Sequence, residues 1–317
     1  MIRLFTEPQG GAEAARLEVE AAMPVFEEAG DELGLARSWR LLSLVYLVWA
    51  RFGMAEQAMS NAHDHARRAG DRREALEALS WLPLLVWAGP TPPAEGRQRC
   101  REIEAQADGD QRVQASALLI RGAFEVMEGS YDEARSHADQ ARSLLEDLGL
   151  TAWIAGPGAQ VRGWIELLAG DPVAAERELR EGYRTLTEMH DAGWISTVAG
   201  LLGRALCAQG RYEEAEEHAR LCQEAASSDD VYSQVLGMMV RAQCGAARPE
   251  TGLPETGLPE TGLPETGLPE TGLGDSAEAV ELARAAVGLC QDTDFLLLHG
   301  DALVVAADVL AAAGRMG

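Results

Sequence analysis

The sequence predicts an all-α protein, a solenoid of antiparallel helix pairs repeating about every 40 residues. Three observations predict it. A Gly followed five residues later by Ala recurs at Gly53, Gly89, Gly129, Gly170, Gly210 and Gly274, with spacings of 36, 40, 41, 40 and 64 residues. A second marker runs out of phase with the first: Gly30-Asp31, Gly70-Asp71, Gly109-Asp110 and Gly149 are 40, 39 and 40 residues apart. Composition agrees, with 47% hydrophobic residues, mostly Ala and Leu, and only 5% aromatics. Small apolar side chains suit closely packed helices.

Each repeat thus has two turns, and the segments between them carry helical periodicity. In chain order the turns fall at residues 30, 53, 70, 89, 109, 129, 149, 170, 210 and 274. Gly closes a helix by adopting a left-handed cap, and Asp opens the next by accepting from free N–H groups. The segment from Asp110 places Val113, Ala117, Ile120 and Phe124 on one stripe. The segment from Gly210 does the same with Tyr212, Ala215, Ala219 and Cys222, leaving acids and His218 on its other face. Small residues recur seven before the turn glycine, at Gly122, Gly163, Gly203 and, with the long insert removed, Ala242. A missing side chain there lets paired helices approach closely.

The 64-residue spacing has one cause. Residues 249–273 are Pro-Glu-Thr-Gly-Leu written five times, and without these 25 residues the spacing is 39. Pro and Gly in every unit oppose helix and strand, so residues 248–274 are expected to be a solvated, disordered loop in one turn of a single domain spanning 1–317. LPETG resembles the recognition motif of sortases. That family's arrangement continues with an apolar segment and a basic tail, whereas here the next residues, GDSAEAVELARAAVGLC, read as a repeat helix. A sortase-anchored surface protein is therefore the minor reading.

The unit "AGLLGRALCAQGRYEEAEEHARLC" resembles a tetratricopeptide repeat. Gly203, Gly210, Tyr212 and Ala215 fall where that family has its small residue, turn Gly, aromatic and helix-B Ala. The unit at Gly129 matches through Gly122, Tyr131 and Ala134; the unit at Gly170 matches through Gly163 and Ala175, with Pro172 in the aromatic's place. The units at Gly53 and Gly89 match at the turn alone. The period exceeds the family's 34 residues, and is similar to that of the C-terminal arms of large bacterial signalling ATPases and cyclases and of MalT-like regulators. The resemblance implies a right-handed superhelix whose A helices line a concave groove. Carried over, it points Arg40, Ser43, Leu47, Ser116, Ala123, Trp164, Thr197, Arg204 and Gln243 toward that groove. Trp164 and Arg204 are the favoured anchors, because Trp and Arg dominate binding hot spots.

Chemistry excludes more than it offers. All 27 basic residues are Arg, so a phosphate-loop lysine, a Schiff-base lysine and a Ser-Lys dyad are excluded. A formal charge of −24 opposes binding to nucleic acid and to anionic membranes. The longest apolar runs, residues 41–50 and 81–88, are too short to cross a bilayer. Five scattered cysteines read as reduced thiols in a cytoplasmic protein. His63 and His65 are two apart on a helix and diverge, so no metal site is expected, and no cofactor or catalytic motif is found. Arg121, Arg162 and Arg241, each one residue before a small position, form a ladder for acids of neighbouring repeats or of a partner. Gly156-Pro157-Gly158 breaks a helix, as a kink, a late helix start or a gap admitting a ligand.

The expected function is a non-enzymatic scaffold binding a protein or peptide, including other domains of a larger parent, with self-association through uncapped ends. A small-molecule-sensing module with a pocket near Trp164 and residues 156–158 is the alternative.

Overall fold

The computed structural model describes residues 11–247 and 273–315. They form α1 (Ala12–Ala29), α2 (Glu32–Val48), α3 (Phe52–Arg68), α4 (Arg72–Ala88), α5 (Pro93–Gln106), α6 (Gln111–Met127) and α7 (Tyr131–Asp147). Next comes α8, which joins Thr151–Trp153, a π-helical turn Ile154–Gly158 and Ala159–Leu168. Then follow α9 (Pro172–Met189), α10 (Ile195–Cys207), α11 (Tyr212–Ala225), α12 (Val231–Ala247), α13 (Leu273–Cys290) and α14 (Leu296–Arg315). No strand occurs among the described residues. Even-numbered helices are the A helices and odd-numbered ones the B helices. Each helix packs on its chain neighbours, and successive A helices from α4 onward also touch. This is an all-α solenoid of antiparallel pairs, with one apolar core running from α3 to α14.

Seven of the ten marked turns are built as the markers require, whereas Gly89 is extended (φ −78°) and Gly274 lies within α13. Gly30, Gly70, Gly109, Gly129, Gly149, Gly170 and Gly210 all have φ between 64° and 81°, where a Cβ is disfavoured. Asp31, Asp71, Asp110 and Asp171 accept from backbone N–H groups one turn on, capping α2, α4, α6 and α9.

The first repeat differs in register. The left-handed residue before α3 is Ala50 (φ 52°), not Gly53, which lies in the first turn of α3. Ala50 and Phe52 therefore hold the places of Gly129 and Tyr131. Ser43, seven before Ala50, holds the small-residue place of Gly122. Its hydroxyl donates to Ala55 O (2.7 Å). A Cβ on Gly122 would lie 2.7 Å from Ala134 O, the corresponding carbonyl. Ser43 thus reaches with a hydrogen bond what Gly122 approaches with bare backbone.

The arginine ladder is internal. Arg162 bridges Asp139 on α7 and Glu178 on α9 (both 2.8 Å), and Arg241 bridges Glu216 on α11 and Glu278 on α13. Arg121 faces Glu104 on α5 at 3.8 Å. An A-helix guanidinium thereby ties the preceding B helix to its own.

The superhelix turns far enough for its last repeat to meet its first. Asp294, before α14, accepts from Phe52 N–H (2.5 Å) and Gly53 N–H (2.8 Å) at the start of α3. A Cβ at Gly53 would stand 2.9 Å from Asp294 Oδ2, so this glycine admits the carboxylate. Phe295 packs edge-on against Phe52, Trp87 and Tyr232, with centroids 4.9, 6.2 and 5.1 Å away. At the other edge, Asp229 accepts from Gly11 and Ala12 N–H at the start of α1 (2.9 and 3.0 Å).

Of residues 248–274, read above as a disordered loop, 248–272 lie outside the described residues, whereas Leu273 and Gly274 are helical and open α13; the flanking helices, α12 and α13, pack together as a pair. Residues 296–314 of α14 are long and apolar enough to cross a membrane by length and composition, a stretch longer than the two runs considered from sequence. Here Leu298, Ala302, Val305 and Val309 face the core, while Leu296, Leu303, Val304 and Leu310 are exposed.

Candidate functional site

Closure of the superhelix leaves a cavity of about 560 Å³ in its interior. Leu44, Leu47 and Val48 of α2, Phe52 and Met59 of α3, and Leu84 and Trp87 of α4 line it. Opposite stand Gln160 of α8, Thr197 of α10, Tyr232 of α12 and the connection from Met189 to Trp194. Arg40, Glu77, Trp81, Ala88 and Asp230 complete the lining, with His190 and Asp191 on that connection. Much of this surface is apolar, with polar groups at few places, as in small-ligand pockets.

Aromatic side chains hold the wall. Trp81 lies nearly parallel to Trp194 (centroids 6.3 Å, planes 19° apart) and tilts against Trp153 at 5.3 Å. The glycine-proline-glycine break explains this placement. It forms a buried π turn, in which Pro157, lacking an N–H, interrupts the regular ladder. A Cβ on Gly156 would stand 2.7 Å from Trp194 Cγ, so the missing side chain makes the space that the indole fills.

Electrostatics around the cavity are uneven. Arg40 is held by Glu74 (2.5 Å), and Glu77 by Arg112 (2.5 Å). Glu77 also accepts from Trp81 Nε1 at 3.3 Å. Asp191 accepts from Gly193 N–H (2.9 Å). Asp230 accepts from Ser233 N–H (3.1 Å) and Ser196 Oγ (3.3 Å). Burial pushes the Asp230 carboxyl above the ordinary aspartate value, and those serine hydrogen bonds partly counter it. Burial raises the Tyr232 hydroxyl as well.

The sequence-derived groove residues separate into three groups. Arg40, Leu47 and Thr197 line this cavity, although Thr197 is 5% exposed and hydrogen-bonds Ser233 at 3.1 Å. Trp164, Arg204 and Gln243 meet at a second, more open cavity of about 440 Å³ beneath α14. There Trp164 is buried edge-on against Trp87 (5.0 Å), and Arg204 pairs with Asp301 of α14 at 2.5 Å. These two anchors thus make internal contacts. Ser43, Ser116 and Ala123 are buried and line neither cavity. For Ser43 the cause is the register of the first repeat: Leu44, six before Ala50, takes the place that Trp164 and Arg204 take before their glycines.

Sequence reasoning missed Trp81, Trp194, Gln160 and Asp230. Trp81 stood in an apolar run interrupted by Pro83, and Trp194 in a connection without periodicity. Their convergence depends on superhelical closure, which leaves no local signal. His63 and His65 diverge, to Ala75 O (3.0 Å) and Glu32 (2.6 Å), and no cluster of metal-ligating side chains occurs among the described residues. Burial pushes the Cys100 thiol up to about 12 and Cys290 up to about 11, so neither is an activated nucleophile.

No family model and no curated protein matches the chain. Among solved structures, it is similar to a Rap protein complexed with competence and sporulation factor, at 13% identity and a TM-score of 0.54, covering 89% of this chain and 76% of that one. BtubC from P. vanneervenii is more distant, at 16% identity and a TM-score of 0.43 over 68% of this chain and 89% of that one. With the left-handed turns and paired helices described above, the Rap likeness establishes a tetratricopeptide-like helical-repeat fold for this chain.

Proposed function

We propose that this chain is a non-enzymatic scaffold that binds a protein or peptide segment inside its superhelix. It would serve as the regulatory or sensory arm of a larger bacterial signalling protein. The carrying observation is the interior cavity, with its apolar floor and its Trp81–Trp194 wall. Rigid aromatic surface offers contact area at little entropic cost, and the repeats around it hold that surface in place. The Rap protein of like fold was solved complexed with competence and sporulation factor, which supports a binding role for this architecture. The acidic charge favours partners that are neutral or basic.

Capture from a randomised peptide library tests this. The wild-type chain should retain peptides that a Trp81→Ala/Trp194→Ala variant of equal helicity loses by at least tenfold. Equal capture by both proteins would place the binding surface elsewhere. A small-molecule-sensing module is the second reading. It is favoured by the cavity's volume of about 560 Å³, within the range of small-ligand pockets.

A further inference from the structure

Two cysteines meet on successive A helices. Cys207 at the end of α10 and Cys244 near the end of α12 are free thiols with their sulfurs 3.7 Å apart. Backbone carbonyls flank the pair: Cys244 Sγ donates to Tyr212 O at 3.3 Å, and Cys207 Sγ lies 4.0 Å from Val240 O. Sulfurs in a disulfide are about 2.05 Å apart, so each has to travel roughly 0.8 Å to close the gap. The two helices already pack together, and no helix has to cross open space. Access is one-sided. Cys207 borders the open cavity of about 440 Å³ beneath α14, and Cys244, fully enclosed, stands behind it. The other three cysteines lie on different helices: Cys100 on α5, Cys222 on α11, where it donates to Ser233 O (3.2 Å), and Cys290 on α13.

We propose that Cys207 and Cys244 form a redox site, at which hydrogen peroxide or another small hydroperoxide converts the two thiols to an intramolecular disulfide tying α10 to α12. The Cys207 thiolate attacks one peroxide oxygen, the O–O bond breaks, and the leaving hydroxide takes up the thiol's proton as water. The Cys244 sulfur then attacks the sulfenic acid on Cys207. The S–S bond forms, the S–O bond breaks, and a second water leaves with the Cys244 proton. Two thiols thus lose two electrons and two protons, and one peroxide is reduced to two waters. The hydrogen bond shared with Cys244, and then burial, push the Cys207 thiol well above the ordinary cysteine value, and the thiolate is the reactive form. The disulfide therefore accumulates slowly, under sustained oxidant, and faster as pH rises. In a solenoid each repeat leans on its neighbours. The bond adds a covalent tie between two repeats through α12, the helix that brings Tyr232 to the interior cavity, whatever that cavity binds.

Mass spectrometry of the full chain tests this. The reduced protein is exposed to hydrogen peroxide without denaturant, then unfolded and alkylated. The reduced chain should take five alkyl groups and the oxidised chain two fewer, with peptide mapping joining Cys207 to Cys244. Between pH 7 and pH 8 the rate should rise about tenfold, as a rate limited by thiolate does. The oxidised protein should melt at a higher temperature than the reduced one, and a reductant should reverse the shift. Cys244→Ser, checked for unchanged melting, removes the second thiol, so the sulfenic acid at Cys207 should persist long enough to be trapped by dimedone. The mass measurement on the wild-type chain needs no variant. Five free thiols after exposure, a disulfide that involves Cys100, Cys222 or Cys290, or a Cys207–Cys244 bond that forms only in denaturant would overturn the proposal. A bond that lowers the melting temperature would overturn it too, because it would show that the two sulfurs are not aligned in the fold.

Discussion

Trp164 and Trp81 have similar credentials in the sequence and different roles in the fold. Trp164 is 5% exposed and rests edge-on against Trp87, so it supports the cavity floor from behind. Trp164→Ala should cost roughly 3–5 kcal/mol of stability, as large-to-small core substitutions do, read as a lower denaturant midpoint. An unchanged midpoint would show that the indole is not part of the core. Trp81 faces the cavity and stacks on Trp194. The difference was not legible from spacing, because repeat register fixes the face of a helix but not what lies across the groove. Ser43 shows a second limit. Gly53 suggested the turn of the first repeat, yet Ala50 adopts the left-handed conformation and Gly53 makes room for Asp294. Glycine signals a special backbone position or a close approach, and the sequence does not distinguish them.

At the scale of the element, helix pairing follows the small-residue rule read from the repeat. Gly122 lies so close to α7 that a Cβ would be 2.7 Å from Ala134 O, a backbone atom that cannot step aside. Gly122→Val should destabilise by about 1–3 kcal/mol through overpacking. Gly288 is also within a helix, α13, but a Cβ there meets nothing within 4 Å. Gly288→Ala should therefore stabilise by about 0.5–1 kcal/mol from helix propensity. Thermal melts of the two variants should move in opposite directions, and a shift in the same direction would remove the close-approach explanation. Most of the solenoid was legible at this scale: its turns, its Asp caps and the arginine ladder all rest on local rules. The π turn of α8 was visible as a break at Gly156-Pro157-Gly158, whereas its purpose, space for Trp194, depends on another repeat.

At the scale of the whole molecule, the cavity exists because the superhelix returns on itself. Asp294 at the start of α3 and Phe295 among Phe52, Trp87 and Tyr232 join segments about 240 residues apart in sequence. No periodicity encodes such a contact, since each repeat specifies only its neighbours. Curvature accumulates from small rotations per repeat, and its sum decides whether the ends meet. Met54 and Asp292 flank this seam, each within two residues of the Gly53–Asp294 contact, and both line one cleft; Met54 is 47% exposed. The most direct measurement is pulsed electron resonance between spin labels at these two positions, the five buried native cysteines being first shown inert to labelling. A closed superhelix gives one short, narrow distance distribution, which broadens and lengthens when Phe295→Ala and Asp294→Ala are added. A long, broad distribution in the otherwise wild-type chain would mean that the ends stand apart, and that the cavity does not form.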